Sequence, residues 1–317
     1  LYRHPIHPID VPIGVPRRDR PELVRDEAMV VECGVDLPRD EVALAKRCEQ
    51  LPQRLVPNRH ELEDEQRRDE TVVGVEVVTE VVVTGDFAAE LQEAGQSAQV
   101  LATSAINHPG LSRAIAALQG AGKPVFSLLN DAASGIQQSY LGLDNVKVGR
   151  IAGWMIATQV RDPGKVAVFI GGNRWHGHIL RETGLRSYLR DHAPGLELLD
   201  AVVNLETRQV TYEATLDLLD RHPDLRGIYV AGGGMEGAIA ALRELRPPGK
   251  VALVVNELTD DSRAALADRY ASLVIATPLT ELSRQLVDLM IEATRQSAPP
   301  VSAQHFLTPQ LYGPESI

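Results

Sequence analysis

Short, nearly continuous apolar segments separated by amphipathic stretches recur from residue 59 to the end of the chain, and this alternation limits the folds open to it. A helical stretch at 59–73 leads into the β-branched run Val75-Glu76-Val77-Val78-Thr79-Glu80-Val81-Val82-Val83. Strands are predicted at 100–102, 124–129, 140–143, 166–170, 198–203, 227–231, 251–255 and 273–275. Helices are predicted at 109–121, 145–159, 177–191, 208–221, 234–245, 260–268 and 279–296. Apolar strands alternating with amphipathic helices specify parallel sheets covered on both faces. So many strands would make one very wide sheet, and Asp162-Pro163-Gly164 breaks the series, so two α/β lobes are expected.

A chain of 317 residues accommodates two such units. Residues 1–58 read differently, as an irregular leader: Pro5, Pro8, Pro12, Pro16 and Pro21 interrupt it and Arg17-Arg18-Asp19-Arg20 is a mixed charge run. Within it, Ala28-Met29-Val30-Val31 is a candidate strand and 40–51 a candidate short helix. The chain starts at Leu1 rather than Met, so further sequence is expected upstream. A net charge of -11 excludes a basic nucleic-acid-binding module for the chain as a whole. Cys33 and Cys48 are too few for a disulfide framework and lack zinc-site spacing, which fits reduced thiols in a cytoplasm. No apolar run reaches the ~18 residues of a membrane span, and Leu1-Tyr2-Arg3-His4-Pro5 carries no secretion signal, so no membrane insertion is expected.

Ligands of such sheets bind beyond the carboxyl ends of the strands. The strand at 124–129 runs into Asn130 and Asp131, which suit a polyol or, equally, form an Asx turn. The strand at 166–170 opens into Gly171-Gly172-Asn173-Arg174-Trp175-His176-Gly177-His178, which has neither dinucleotide-fingerprint nor Walker spacing. Trp175 offers a face for a sugar ring, with His176, His178 and Arg181 as donors. The two histidines lack a third ligand, so no metal is expected. Gly232-Gly233-Gly234-Met235-Glu236 either presents free amides to an oxygen-rich ligand or is a structural turn. Asn256 and Glu257 follow the strand at 251–255, with Thr259 or Asp260 as the next N-cap, and Thr277 closes the strand at 273–275. Asn58 and His108 complete the candidate ligand-binding set. No Gly-x-Ser-x-Gly elbow, strand-end cysteine or paired carboxylate is found, so a binding pocket is expected rather than an enzyme, and no cofactor.

The order of these features resembles the effector-binding domain of LacI-type transcriptional regulators, whose two-lobed fold is shared with periplasmic sugar-binding proteins. The resemblance rests on Ala121-Gly122-Lys123-Pro124-Val125-Phe126, Tyr140-Leu141-Gly142-Leu143-Asp144-Asn145 and Val148-Gly149-Arg150-Ile151-Ala152-Gly153. It continues through Arg181-Glu182-Thr183-Gly184-Leu185-Arg186, His222-Pro223-Asp224-Leu225-Arg226-Gly227-Ile228-Tyr229, Asn256-Glu257-Leu258-Thr259 and Ile275-Ala276-Thr277-Pro278-Leu279. It implies two doubly wound parallel-sheet lobes joined by a three-strand hinge, of the periplasmic binding protein type I kind. The implied N lobe is 59–143 plus 279–303 and the implied C lobe 144–278 plus 304–317, with crossings near Leu143, Pro278 and Gln304. It further implies a homodimer whose small-molecule effector, a sugar, polyol or sugar acid, closes the lobes and alters DNA affinity. The family's helix-turn-helix and its Val-Ser-x-x-Thr-Val-Ser hinge are not found in 1–58, so operator DNA is a partner only if a helix-turn-helix lies upstream. The competing expectation is an extracytoplasmic solute-binding protein of a sugar ABC transporter, which requires an export signal before Leu1.

Overall fold

The apolar runs form two sheets. A computed structural model describes residues 28–36, 74–82, 87–104, 107–130, 139–295 and 303–317. In chain order the elements are β1 (Ala28–Asp36), β2 (Gly74–Val82), α1 (Phe87–Ser97), β3 (Val100–Ser104), α2 (Pro109–Gly120), β4 (Val125–Leu128) and β5 (Ser139–Leu143). There follow α3 (Asn145–Gln159), β6 (Gly164–Ile170), α4 (His176–His192), β7 (Leu196–Leu198), β8 (Val202–Val203), α5 (Arg208–Arg221), β9 (Leu225–Val230) and α6 (Met235–Leu245). The series ends with β10 (Ala252–Asn256), α7 (Asp260–Ala267), β11 (Ala271–Ala276), α8 (Leu279–Arg295), β12 (Gln304–Leu307) and β13 (Gln310–Tyr312).

The first sheet has strand order β12-β5-β4-β3-β1-β2, and the second β13-β11-β10-β9-β6-β7 with β8 also on β6. Strand periodicity decides which helix each side chain meets. In β3, Val100 and Ala102 share a core with Leu282, Leu286 and Met290 of α8, whereas Leu101 between them joins Leu91 of α1 and Ile115 of α2. In β6, Val166, Val168 and Ile170 face Val148, Ala152 and Ile156 of α3 and Leu185 and Leu189 of α4. Ala167 and Phe169 face Leu218 of α5, Ile239 and Leu242 of α6 and Leu266 of α7. Each sheet is thus covered on both sides, the doubly wound arrangement that uninterrupted apolar strands require.

Several expectations are corrected. The candidate strand at 28–31 forms, as part of β1, but β1 pairs antiparallel with both β2 and β3, so the first sheet is mixed rather than parallel throughout. β13 is antiparallel to β11 in the second sheet. The third passage between sheets follows Gln304 by four residues: β12 pairs in parallel with β5 from Gln304 opposite Tyr140 to Leu307 opposite Leu143, so 304–307 belong to the first sheet and the chain changes sheets at 308–309. The strand expected at 198–203 is split, with β7 on Gly164–Val166 and β8 on Phe169–Ile170. Helix α1 has no counterpart among the predicted helices, because its buried face is made of Leu91, Ala94 and Gly95, a weak apolar signal. The helices expected at 40–51 and 59–73 lie outside the described residues. Among the described residues no helix is long and apolar enough to cross a membrane.

Helix caps follow local chemistry. Asp144 accepts the Lys147 amide at the start of α3, Thr207 caps α5, and Thr259 makes a capping box with Ser262 at α7.

Candidate functional site

The two lobes meet through backbone and side-chain hydrogen bonds near the ends of β3, β4 and β6. The Asn107 amide donates to the Arg174 carbonyl at 3.0 Å. The Gly177 amide, in the first turn of α4, donates to Asn130 Oδ1 at 3.0 Å. Asn130 is 5% exposed, and the left-handed backbone of Leu129 (φ 59°) turns it out of β4. Asn130 therefore reaches the other lobe, and one of its acceptor positions is used there.

One turn beyond Gly177, Arg181 lies on the same face of α4. Its Nε donates to Asn145 Oδ1 at 2.7 Å and its Nη1 to the Ala231 carbonyl at 2.6 Å. Both acceptors are neutral. A half-buried guanidinium so held is fixed in direction, and its remaining donors can serve an oxygen-rich ligand in a planar fork.

Trp175 is the N-cap residue of α4 but makes no side-chain cap bond. Its indole stacks on the ring of His178, with centroids 5.7 Å apart and planes 23° apart. His176, half-buried, faces a cavity of about 410 Å³ at the crossing between lobes, which Tyr140, Asn145 and Phe306 also line. His108 is exposed and caps α2, its Nδ1 accepting the Gly110 amide at 3.2 Å. Asn58 and Asp131 lie outside the described residues.

At the ends of β10 and β11 the candidates bind one another. Asn256 is 2% exposed; its Oδ1 accepts the Tyr229 hydroxyl at 2.8 Å and its amide reaches the Ile275 carbonyl at 3.5 Å. Burial holds the Tyr229 phenol above its ordinary range, so it stays a neutral donor. Glu257 takes a left-handed backbone (φ 68°), and its carboxylate accepts both the amide of Thr277 at 3.0 Å and its hydroxyl at 2.8 Å. This places Asn256 among structural groups and joins Glu257 and Thr277 in one pair at the strand ends.

The glycine loop is packed by the protein's own groups. Gly233 donates to Glu206 Oε1 at 3.0 Å, and a Cβ on Gly232 would stand 2.3 Å from the His178 ring. Gly234 (φ 85°) adopts a conformation that favours glycine. Met235 is 4% exposed and belongs to the core cluster with Phe169 and Ile239. Glu236 is half-buried in the first turn of α6. The turn reading of this segment therefore holds at Gly233, whose amide is occupied.

Sequence reasoning missed Asn145, Asn204 and Glu206. Asn204 braces the loop from beneath, donating to Thr211 Oγ1 and to the Gly233 carbonyl, each at 2.9 Å. Glu206 follows Leu205, and both have left-handed backbones (φ 56° and 52°), which turns the carboxylate back toward His178 and Gly233. No local motif announces this bend. Asn145 was visible in the run Leu143-Asp144-Asn145, but its role required the Arg181 contact.

His178 is 8% exposed, and its Nδ1 accepts the Gly171 amide at 3.1 Å. Burial, with the Arg181 guanidinium pushing the same way, takes its pKa down to about 3. Glu206 Oε1 lies 3.7 Å from Nε2, too far for a hydrogen bond that would offset the desolvation. The imidazole is thus neutral in the fold and protonates below pH 6.5 only in the unfolded chain, so stability falls as pH drops from 6.5 toward 3. Between pH 7.5 and 4.5 this one site is expected to remove about 2–3 kcal/mol. Comparing the unfolding free energy of the parent and His178→Asn at both pH values checks it: the gap between them should narrow by that amount at pH 4.5. An unchanged gap would remove His178 as the source.

Two doubly wound lobes with polar residues gathered at their facing strand ends define a two-lobed ligand-binding clamp. Residues 85–297 match the model of the periplasmic binding protein domain, and the chain belongs to that family. No curated protein sequence matches it significantly. Among solved structures it is similar to GanP, a glucose-galactose binding protein from Geobacillus stearothermophilus (17% identity, TM-score 0.65, 73% of this chain and 82% of that one). It is also similar to a periplasmic ribose ABC transporter protein from Conexibacter woesei (25% identity, TM-score 0.64, 73% and 78%). A third is an ABC transporter solute binding protein from Agrobacterium vitis bound with alpha-D-tagatopyranose (18% identity, TM-score 0.65, 72% and 80%).

Proposed function

We propose that this chain binds a sugar or related polar metabolite between its lobes, as a non-catalytic clamp. The observation that carries the proposal is Arg181, half-buried at the strand ends and held by two neutral oxygens, one turn from the inter-lobe bond of Gly177 to Asn130. A fixed guanidinium next to an amide side chain suits vicinal hydroxyls, with Trp175 as an apolar neighbour. Ligand that touches both lobes binds the closed arrangement better than the open one and shifts the population toward it.

The sequence motifs favour the effector domain of a LacI-type regulator, acting as a cytoplasmic homodimer in which closure changes operator affinity through linkage. Its likeness to ABC transporter proteins favours a second reading, the solute-binding component of a sugar ABC transporter working outside the cytoplasm. Both readings predict the same first result. Thermal unfolding with D-ribose, D-glucose, D-galactose, D-tagatose, polyols and sugar acids should reveal a ligand that, at 100 times its dissociation constant, adds ~2.7 kcal/mol. That corresponds to a rise of about 5–11 °C. A flat response across the panel would count against the clamp. Gel-shift with the full gene product then separates the readings: ligand-dependent DNA binding supports the regulator, and its absence together with ligand binding supports the transporter component.

A further inference from the structure

The Arg181 contacts continue into the crossing between the lobes. Asn145, the first residue of α3 and 5% exposed, accepts from Arg181 through Oδ1 and donates through Nδ2 to the Tyr140 hydroxyl at 3.3 Å. Tyr140 is 6% exposed on β5, in the first sheet. Its single hydroxyl proton faces the Leu143 carbonyl at 2.9 Å and the Leu129 carbonyl at 3.3 Å. Leu129 is the left-handed residue that aims Asn130, and Asn130 returns to α4 at Gly177. The bonds close a circuit that runs from α4 through α3, β5 and the end of β4 and back to α4.

Two glycines make room for that circuit. A Cβ on Gly142 would lie 2.5 Å from the Tyr140 hydroxyl oxygen and 3.0 Å from the Leu129 Cα. A Cβ on Gly177 would lie 3.1 Å from Asn145 Nδ2 and 3.6 Å from Asn130 Oδ1. The circuit is therefore packed as well as bonded. It passes from one lobe to the other at two points, Asn145 to Tyr140 and Gly177 to Asn130, and separation of the lobes stretches both.

We propose that Tyr140 and Asn145 are positioning residues that couple the direction of the Arg181 guanidinium to lobe closure, so that the ligand-facing cation is set only when the hinge bonds are made. This rests on the clamp reading only for what Arg181 touches. The coupling itself is tested on the ligand-free chain, by amide hydrogen exchange of Gly177 in the parent, Tyr140→Phe and Asn145→Ala. Tyr140→Phe keeps the ring and removes the hydroxyl alone, which guards against a variant that merely fails to fold. Both variants break the Asn145–Tyr140 passage and leave the Gly177–Asn130 groups in place, so a coupled circuit is expected to let Gly177 exchange about fivefold faster, the factor given by loss of one neutral hydrogen bond. The amides of Val254 and Val255 in β10 should keep their protection. Unchanged Gly177 exchange, or an equal loss at Gly177 and β10, overturns the proposal, the second by showing a purely structural role. If Gly177 responds as expected while no sugar in the panel binds, the coupling stands and the ligand assignment fails.

Discussion

Gly149→Ala is expected to lower the thermal unfolding midpoint by about 4–8 °C, as ~3 kcal/mol of overpacking, less about 1 kcal/mol regained in helix propensity, implies for lobes of this size. Gly149 of α3 packs directly on the backbone of α4: a Cβ there would lie 1.9 Å from the Arg181 carbonyl oxygen and 2.9 Å from the Leu185 amide nitrogen. The contact is reciprocal, since a Cβ on Gly184 would lie 2.1 Å from the Val146 carbonyl oxygen. Neither obstacle is a flexible side chain, so the helices must separate. The gain in helix propensity on replacing glycine, at most about 1 kcal/mol, offsets only part of this. Because the struck atom belongs to Arg181, ligand affinity should fall with stability. Gly120→Ala is the control, as a Cβ there meets nothing within 4 Å. Differential scanning calorimetry of the variants decides the matter, and a Gly149→Ala midpoint within about a degree of the parent would refute the close helix contact.

Arg181→Ala should weaken ligand binding by about 10- to 150-fold, the range that corresponds to ~1.5–3 kcal/mol for hydrogen bonds to a charged group. Arg181→Lys should not restore affinity. A lysine ammonium lacks the planar fork that engages Asn145 and Ala231 together while keeping donors for the ligand. Isothermal titration with whichever sugar raises the midpoint measures both variants. Affinity within threefold of the parent for Arg181→Ala would move the ligand contacts away from α4.

Particular residues show what was legible in advance. The strands at 166–170 and 251–255 and the helix at 145–159 were readable because each repeats a pattern within a few residues: period two or a continuous apolar run for strands, and 3.6 for helices. The Thr259 cap was equally local, bonding an amide three residues away. Met235 and Asn256 were read as cleft residues because both follow a strand, but in the fold Met235 fills the core beside Phe169 and Asn256 bonds Tyr229 across β9 and β10. Strand-end position is a property of one element. Which way the side chain turns depends on its neighbours.

By itself, the sequence determined the alternation of strands and helices, which depends on residues within about one turn of each other, and the two-lobed α/β class, which follows from the number of strands and the break at Asp162-Pro163-Gly164. Tertiary structure alone decided the antiparallel placement of β1 and the return of β12 to the first sheet, because a ladder is chosen by a partner far away in the chain. It also decided the site. Asn130 meets Gly177 47 residues on, Arg181 meets Ala231 50 residues on, and Glu206 meets Gly233 27 residues on. Each pairing exists because a buried polar group must find a partner, and only the packed lobes determine which partner is within reach.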